Sequence, residues 1–212
     1  SSGLGECLYK SFAESYNVIN IPRTISESAN NVVINLNDLP GLKNELQTKN
    51  VKHELCILNA GTMGSIGSAC QISDEELLEA LRINVIANKI IIDWSILNGC
   101  KYFIGISSGA AIKNYDGWLN YCVTKSAFRS MMLQYQKDLP KLNFRLISPG
   151  ILSTDMNKKI KALDVALYPD MNKFHQQPPD EPQKASDLIY QKYSDYFRDD
   201  KLEIDLRDEA EW

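Results

Sequence analysis

Short apolar runs alternate along the chain with longer stretches in which apolar residues recur every three or four positions. A short apolar run between polar segments is typical of a buried strand, and the wider spacing is typical of an amphipathic helix. Strands that alternate with helices in this way predict a parallel sheet covered by helices, an α/β fold. The 212 residues show no internal repeat and no linker, so one domain is expected over 1–212.

The pattern assigns each predicted element to a range of the sequence. Strands are expected at 18–21, 32–34, 55–58, 102–106 and 144–147, with an alternating edge strand at 202–206. Helices are expected at 3–15, 39–49, 74–97, 121–137 and 184–196. The helix at 74–97 has the clearest beginning, because Ser73 and Glu76 form a capping box there.

Three polar residues around the 102–106 strand carry candidate chemistry. Tyr121 stands thirteen positions after Ser108, and Lys125 follows four positions later. Residues four apart share one helix face, so the Lys125 ammonium is expected beside the Tyr121 phenol. A free tyrosine has a pKa of roughly 10, and a neighbouring cation would lower that pKa enough for general acid/base catalysis. Ser108 could hydrogen-bond a carbonyl oxygen that gains charge during reduction.

Such a Tyr–Lys pair is also common on solvated helix faces. The composition of the chain excludes several classes of function but indicates none. The net charge of −4 gives no basic surface for nucleic acid. No apolar run approaches the roughly 20 residues of a membrane span. The five cysteines lack a paired spacing and there are two histidines, so neither a disulfide framework nor a metal site is expected. A cytoplasmic protein without a nucleic-acid or membrane partner is the prediction.

Further motifs occur in a consistent order around these three residues. The apolar run at 55–57 leads into Leu58-Asn59-Ala60-Gly61, Asn84 lies inside the next long helix, and 149–154 reads Pro-Gly-Ile-Leu-Ser-Thr. With the serine, tyrosine and lysine, these motifs resemble those of the short-chain dehydrogenase/reductase family through nearly the whole length of the chain. Leu58 departs from the family, which usually has asparagine there.

The resemblance implies a doubly wound, Rossmann-like fold of three α/β/α layers and a catalytic tetrad. In that tetrad Tyr121 would protonate the developing alkoxide, and Lys125 would lower the pKa of Tyr121 and bind the nicotinamide ribose. Ser108 would orient the carbonyl group, and Asn84 would support a water molecule that relays protons to Lys125. The polar, proline-rich segment 155–182 would form a mobile lid over the substrate, with a plain surface loop as the alternative.

A dinucleotide cofactor also follows from the resemblance. NAD-preferring folds place an acid at the end of the second strand, whereas an arginine there accommodates a 2′-phosphate. Here that position holds Arg23 and no acid occurs before Glu27, which favours NADP(H) over NAD(H), although Arg23 would also suit a solvated surface. The expected cofactor-binding residues are Ser2, Gly3, Leu4, Gly5, Arg23, Asn35, Leu36, Asn59, Ala60, Gly61, Tyr121, Lys125, Pro149, Gly150, Ile151 and Thr154.

The beginning of the chain departs most from the family pattern. Residues 1–5 resemble the second half of the family's glycine-rich loop, while the first strand and its leading Thr-Gly are not in this sequence. That strand would be central in a doubly wound sheet. We therefore expect these residues to exist in the natural protein.

The function expected from the resemblance is NADP(H)-dependent interconversion of a small carbonyl compound and its secondary alcohol. The last third is loosely similar to sepiapterin and benzil reductases, which favours a carbonyl reductase. An NAD-dependent sugar or alcohol dehydrogenase and a non-catalytic nicotinamide sensor are the alternatives, and the complete tetrad argues against the sensor. A homodimer or homotetramer is expected through the two long helices, at about 74–98 and 121–138.

Overall fold

A parallel sheet forms the centre of the computed structural model, which describes residues 3–21 and 34–209. Its strands are β1 (Leu55–Leu58), β2 (Tyr102–Ile106), β3 (Asn143–Ser148) and β4 (Glu203–Asp205), in the spatial order β1-β2-β3-β4. All three pairings are parallel, with Cys56 opposite Phe103 and Phe103 opposite Phe144. Parallel pairing brings the carboxyl ends of all four strands to the same edge of the sheet, where ligands bind in such folds.

Helices cover both faces of this sheet. Their bounds are α1 Leu4–Ala13, α2 Leu39–Gln47, α3 Asp74–Leu81, α4 Ala87–Leu97, α5 Leu119–Asp138, α6 Asp155–Lys161, α7 Asn172–Gln176, α8 Pro182–Lys192 and α9 Leu206–Glu209. Four 3-10 turns lie at Ala69–Gln71, Gly109–Ala111, Pro169–Met171 and Asp195–Phe197. None of the helices within 3–21 and 34–209 is both long and apolar enough to cross a membrane.

Alternate residues of each strand point to opposite layers. Phe103 packs with α2, α4 and α5 in one core, and its ring stacks on Phe144 with the ring centroids 4.4 Å apart. Ile104 packs with α1 and α8 in the other core. Both layers bury apolar strand residues, because a parallel sheet is covered on both faces. The predicted three-layer α/β/α architecture is confirmed.

Most predicted elements are found, and one strand is not. The helix at 39–49 and the strands at 55–58, 102–106, 144–147 and 202–206 are confirmed within a few residues. The strand expected at 18–21 is wrong, since the only regular pairing in that stretch of the described chain is an isolated bridge at Asn20. An extended segment becomes a strand only where a neighbouring strand pairs with it. The expected strand at 32–34 falls mainly outside the described residues.

The long helix at 74–97 begins as predicted but is not uniform. Ser73 Oγ accepts a hydrogen bond from the Glu76 amide at 3.3 Å, and the Glu76 carboxylate accepts one from the Ser73 amide at 2.9 Å, which completes the capping box. Between α3 and α4, residues Arg82–Ile86 form a π-helical turn. Such turns are rare and frequently occur at functional sites, and this one contains Asn84.

Candidate active site

The carboxyl edge of the sheet opens into a cavity of about 2240 Å³. Most residues expected from the sequence to bind cofactor or substrate line it. They are Gly3, Leu4, Gly5, Asn35, Leu36, Asn59, Ala60, Gly61, Ser108, Tyr121, Lys125, Pro149, Gly150, Ile151 and Thr154. Asn84 does not line the cavity, while Ser2 and Arg23 fall outside the described residues. The parallel topology has therefore gathered residues from one end of the sequence to the other into one site.

Ser108 and Tyr121 meet where β2 leads to α5. Ser108 is the residue before the Gly109–Ala111 turn, and its Oγ accepts a hydrogen bond from the Ala110 amide at 3.2 Å. Its side chain lies close enough to the Tyr121 phenol to influence the pKa of that group, and Tyr121 lies in the first turn of α5 and is 8% exposed. Ser108 and Tyr121 thus line the same cavity.

Lys125 lies one helical turn after Tyr121 and is buried. Its Nζ donates a hydrogen bond to the Ile106 carbonyl at 2.9 Å and is 5.7 Å from the centroid of the Tyr121 ring. Burial lowers the pKa of Lys125 to about 8, because an ammonium loses its hydration there.

The pKa of Tyr121 moves in the direction opposite to the one predicted from the sequence. Burial raises the pKa of the Tyr121 phenol to about 12, and the Ser108 side chain only partly opposes that change. The lowering expected from Lys125 is not found, because desolvation of the buried phenol dominates the shift and Lys125 is not among its causes.

Asn84 holds the loop that follows β1. Its Oδ1 accepts from the Thr62 amide at 2.7 Å, and its Nδ2 donates to the Thr62 carbonyl and to Thr124 Oγ1, each at 2.8 Å. A Cβ on Gly61 would lie 3.4 Å from Asn84 Oδ1 and 3.7 Å from Lys125 Nζ. Asn84 therefore lies directly behind Gly61 and close to Lys125, where it positions the loop.

Asn88 belongs to the same hydrogen-bond network, although sequence analysis did not identify it as a site residue. This buried residue lines the cavity, and its Nδ2 donates to the Asn84 carbonyl at 2.9 Å and to the Ala60 carbonyl at 3.4 Å. The π-helical turn changes the hydrogen-bond pairing along this helix, and the Asn88 side chain supplies a donor to the Asn84 carbonyl. Two asparagines four positions apart on one helix were the available signal.

The N-terminus of α1 forms a glycine cradle against Asn59 and Thr154. Gly3 has φ 70° and ψ −145°, and a Cβ there would lie 3.0 Å from Thr154 Cγ2. A Cβ on Gly5 would lie 2.5 Å from Asn59 Nδ2, closer than real Cβ atoms approach. The amides at a helix N-terminus attract anionic groups. These residues therefore fit the diphosphate of a dinucleotide.

The remaining predicted cofactor residues surround this cradle. Asn35 is exposed, and its Oδ1 accepts from the Asn37 amide at 3.0 Å, whereas Leu36 is buried in the core beside it. Thr154 caps α6 by accepting from the Asn157 amide at 3.3 Å. The Ile151 carbonyl accepts from the Asp180 amide at 2.8 Å. Thus the 149–154 segment is fixed on one side by α6 and on the other by the end of the 155–182 segment.

An aromatic wall, formed by Tyr115, Trp118 and Phe174, encloses the cavity beside Tyr121. The Trp118 ring packs on Tyr115, Phe174 and Tyr121 with centroid distances of 4.9, 5.3 and 5.7 Å. Phe174 comes from α7, so the 155–182 segment completes this wall. Sequence reasoning did not find the wall, because its members are dispersed and join only through tertiary packing.

Sequence comparisons with known proteins identify similar oxidoreductases. The sequence profile of the short chain dehydrogenase family matches residues 49–164. Benzil reductase ((S)-benzoin forming) of Bacillus subtilis (strain 168) is 28% identical over 115 residues, which are 50% of this chain and 47% of that protein. The chain spans about half the length of the curated relatives it matches.

Solved structures share the fold. A short chain dehydrogenase family protein from Francisella tularensis subsp. tularensis SCHU S4 has a TM-score of 0.81 at 23% identity, covering 97% of this chain and 93% of that chain. A short chain dehydrogenase from Burkholderia cenocepacia J2315, solved in complex with NADP, has a TM-score of 0.73 at 16% identity, covering 95% and 90%. At such identities the likeness concerns the fold.

Proposed function

This chain belongs to the short chain dehydrogenase family, and from that premise we propose that it is an NADP(H)-dependent oxidoreductase that reduces a small-molecule carbonyl compound. The observation that carries the proposal is that Ser108, Tyr121 and Lys125 line one cavity, with the Lys125 Nζ 5.7 Å from the centroid of the Tyr121 ring. The relatives of this chain include benzil reductases, which supports a carbonyl substrate.

Ser108, Tyr121 and Lys125 would each have a separate role in reduction of the carbonyl group. A nicotinamide cofactor, when bound in this cavity, would supply a hydride, and with it two electrons, for the carbonyl carbon. Tyr121 donates its phenolic proton to the carbonyl oxygen, so the C=O bond becomes CH–OH. Ser108 donates a hydrogen bond to the same oxygen and orients it. Lys125 provides positive charge beside the phenolate that remains, and solvent returns the proton to Tyr121.

The Tyr121 phenol can serve as the proton donor in reduction. With its pKa raised to about 12 by burial, Tyr121 holds its proton at neutral pH. A proton donor is what reduction requires, whereas oxidation of an alcohol requires a base. The Ser108 and Tyr121 hydroxyl groups would also hold the substrate carbonyl in one orientation, and such positioning lowers the barrier to reaction.

Cofactor preference rests on residues at the end of the expected second strand. Arg23 and the absence of an acid before Glu27 support a cofactor with a 2′-phosphate. The structural neighbour from Burkholderia cenocepacia holds NADP, which is compatible with this choice. The cradle of Gly3, Gly5 and Thr154 would hold the diphosphate, and Leu36 would pack against the adenine ring.

Exposed apolar residues on two long helices support assembly of the chain into an oligomer. Leu78, Ile86 and Val123 are partly exposed on α3, the π-helical turn and α5, and we expect these helices to pair in a homodimer or homotetramer in the cytoplasm. The neighbouring Ile92 and Met132, by contrast, are core residues.

Segment 155–182 would act as a lid, because α7 brings Phe174 to the cavity beside Tyr121.

The test combines cofactor titration with one variant. We expect the complete protein to bind NADPH about tenfold or more tightly than NADH in a fluorescence titration, since only NADPH offers a phosphate to Arg23. Tyr121→Phe should keep that binding and lose at least about 100-fold in carbonyl reduction, the contribution of a general acid. Full activity in Tyr121→Phe would contradict the mechanism, and tighter NADH binding would contradict the cofactor assignment alone.

A further inference from the structure

Lys173 on α7 places a positive charge on the cavity wall beside the aromatic wall. Its Nζ lies 3.7 Å from the centroid of the Tyr115 ring and 4.9 Å from the centroid of the Phe174 ring. Lys173 lines the same cavity as Ser108 and Tyr121. An ammonium over aromatic faces is held by attraction to their π electrons, so the charge has a defined position.

In the part of the chain that the structure describes, no carboxylate pairs with Lys173 and its Nζ donates no hydrogen bond. Other lysines on the cavity wall differ: Lys158 pairs with Asp155 at 3.0 Å, while Lys113 and Lys159 have no aromatic ring among the described residues to hold their ammonium groups. An ammonium carries three donors, and aromatic faces satisfy none of them. Lys173 is therefore ready to bind an anion that enters the cavity.

Tyr115 connects this charge to the reacting groups. Its Oη lies 3.1 Å from the position that a Cβ on Gly109 would occupy, and Gly109 directly follows Ser108. The face of the same ring holds the Lys173 ammonium. One tyrosine side chain thus lies against both the turn that follows Ser108 and the Lys173 ammonium.

We propose that Lys173 binds the acidic group of an aromatic carbonyl substrate, so that the enzyme prefers aryl keto acids over neutral aryl ketones. The inference rests on the proposed function, because it assigns the substrate class of that same site. The aromatic ring of the substrate would pack on Trp118 and Phe174, its carbonyl oxygen would bind Ser108 and Tyr121, and its carboxylate would pair with Lys173. Hydride addition and protonation then proceed as above, and the carboxylate takes no part in bond changes.

The probes are benzoylformate, an aryl keto acid, and its methyl ester, which keeps the ring and both carbonyl groups but lacks the charge. Binding to the complete protein with NADP⁺ is measured calorimetrically. The wild type should bind the acid about tenfold or more tightly than the ester. Lys173→Met should remove that preference by weakening acid binding about 10- to 100-fold, with ester binding unchanged. Lys173→Arg should retain most of it.

Lys161→Met is the matched control, because Lys161 lies on α6 in the same segment and does not line the cavity. It should alter neither affinity. Equal losses for acid and ester in Lys173→Met would overturn the inference and show that Lys173 only holds α7 against Tyr115. Equal affinities of the wild type for acid and ester would overturn it as well.

Failure of the proposed function gives a different result. In that case the complete protein would oxidise NADPH with neither compound, while calorimetry would still show whether Lys173 discriminates acid from ester. If the ester is reduced and the acid is not preferred, the proposed function stands and the assignment of Lys173 falls.

Discussion

At the scale of single residues, Lys125 illustrates a conflict between stability and chemistry. The side chain is 6% exposed, and burial lowers its pKa to about 8 from an unfolded value near 10.5. Between these two pH values the unfolded chain binds more protons than the folded one, so this residue makes stability rise with pH. Below about pH 8 the full desolvation penalty of the ammonium is present. The positive charge is thus retained at a site where it destabilises the fold.

We predict that Lys125→Met raises the free energy of unfolding near neutral pH by about 1–3 kcal/mol while abolishing turnover. Each unit of the pKa difference corresponds to about 1.4 kcal/mol, and loss of the hydrogen bond to Ile106 offsets about 1 kcal/mol of the gain. The advantage should shrink as pH rises from about 8 toward 10.5. Urea unfolding of variant and wild type at several pH values measures the difference.

The difference between the two proteins is the informative quantity, because Tyr121 and Cys56 also titrate at alkaline pH and their raised pKa values act in the opposite direction. Lys137→Met removes an exposed lysine from the same helix and should leave stability nearly unchanged. A Lys125→Met protein that is less stable than the wild type near pH 7 would show that burial does not penalise this ammonium.

At the scale of elements, the long helix after the capping box joins core packing to the site. Its apolar periodicity predicts one helix over 74–97, and its ends were placed correctly. The π-helical turn at Arg82–Ile86 was not predicted, because it depends on contacts with a distant loop. Asn84 binds the Thr62 backbone, and Asn88 binds the Asn84 and Ala60 carbonyls. Periodicity along one segment carries no information about such partners.

We predict that Asn88→Leu lowers the free energy of unfolding by about 1–3 kcal/mol, since it leaves the Asn84 carbonyl without its Asn88 donor in a buried position. It should also weaken NADPH binding several-fold, because Ala60 and Gly61 line the cavity in which we propose that the cofactor binds. Thermal unfolding and fluorescence titration measure the two effects.

Asn98→Ala is the matched control for that variant. Asn98 Nδ2 donates to the Trp94 carbonyl at 2.9 Å at the far end of the same helix. Its loss should reduce stability without changing cofactor affinity. If Asn88→Leu and Asn98→Ala weakened NADPH binding equally, general helix stability and not the Asn88 contacts would explain the result.

At the scale of the whole molecule, a feature could be predicted from the sequence when the residues that determine it lie close together along the chain. Tyr121 and Lys125 were found because four residues on a helix fix their relation, and Ser108 because it follows a clear strand. The strand expected at 18–21 failed, since pairing requires a partner that apolar character alone does not specify. Lys173 and Phe174 lie far along the chain, and only the packing of α7 brings them to the cavity.

The 155–182 segment is tied to the loop between Ser108 and Tyr121 by a reciprocal pair of hydrogen bonds. The Asp116 amide donates to Asp170 Oδ2 at 3.0 Å, and the Asp170 amide donates to Asp116 Oδ2 at 3.1 Å. Asp116 lies in the connection between Ser108 and Tyr121, whereas Asp170 lies in the 3-10 turn before α7. If this segment is a lid, these bonds hold it closed over the aromatic wall.

We therefore predict that Asp170→Ala accelerates amide hydrogen exchange across residues 163–177 about fivefold, as expected when an exposed hydrogen bond of about 1 kcal/mol is lost. Exchange in β2 and the melting temperature should not change, because the opening is local. Asp164→Ala is the control, since its carboxylate accepts from the nearby Ala166 amide at 2.8 Å and, among the described residues, makes no bond to the loop between Ser108 and Tyr121. Protection of 163–177 equal to that of β2, and unchanged in Asp170→Ala, would mean that the segment is a fixed part of the wall and that substrate enters by another route.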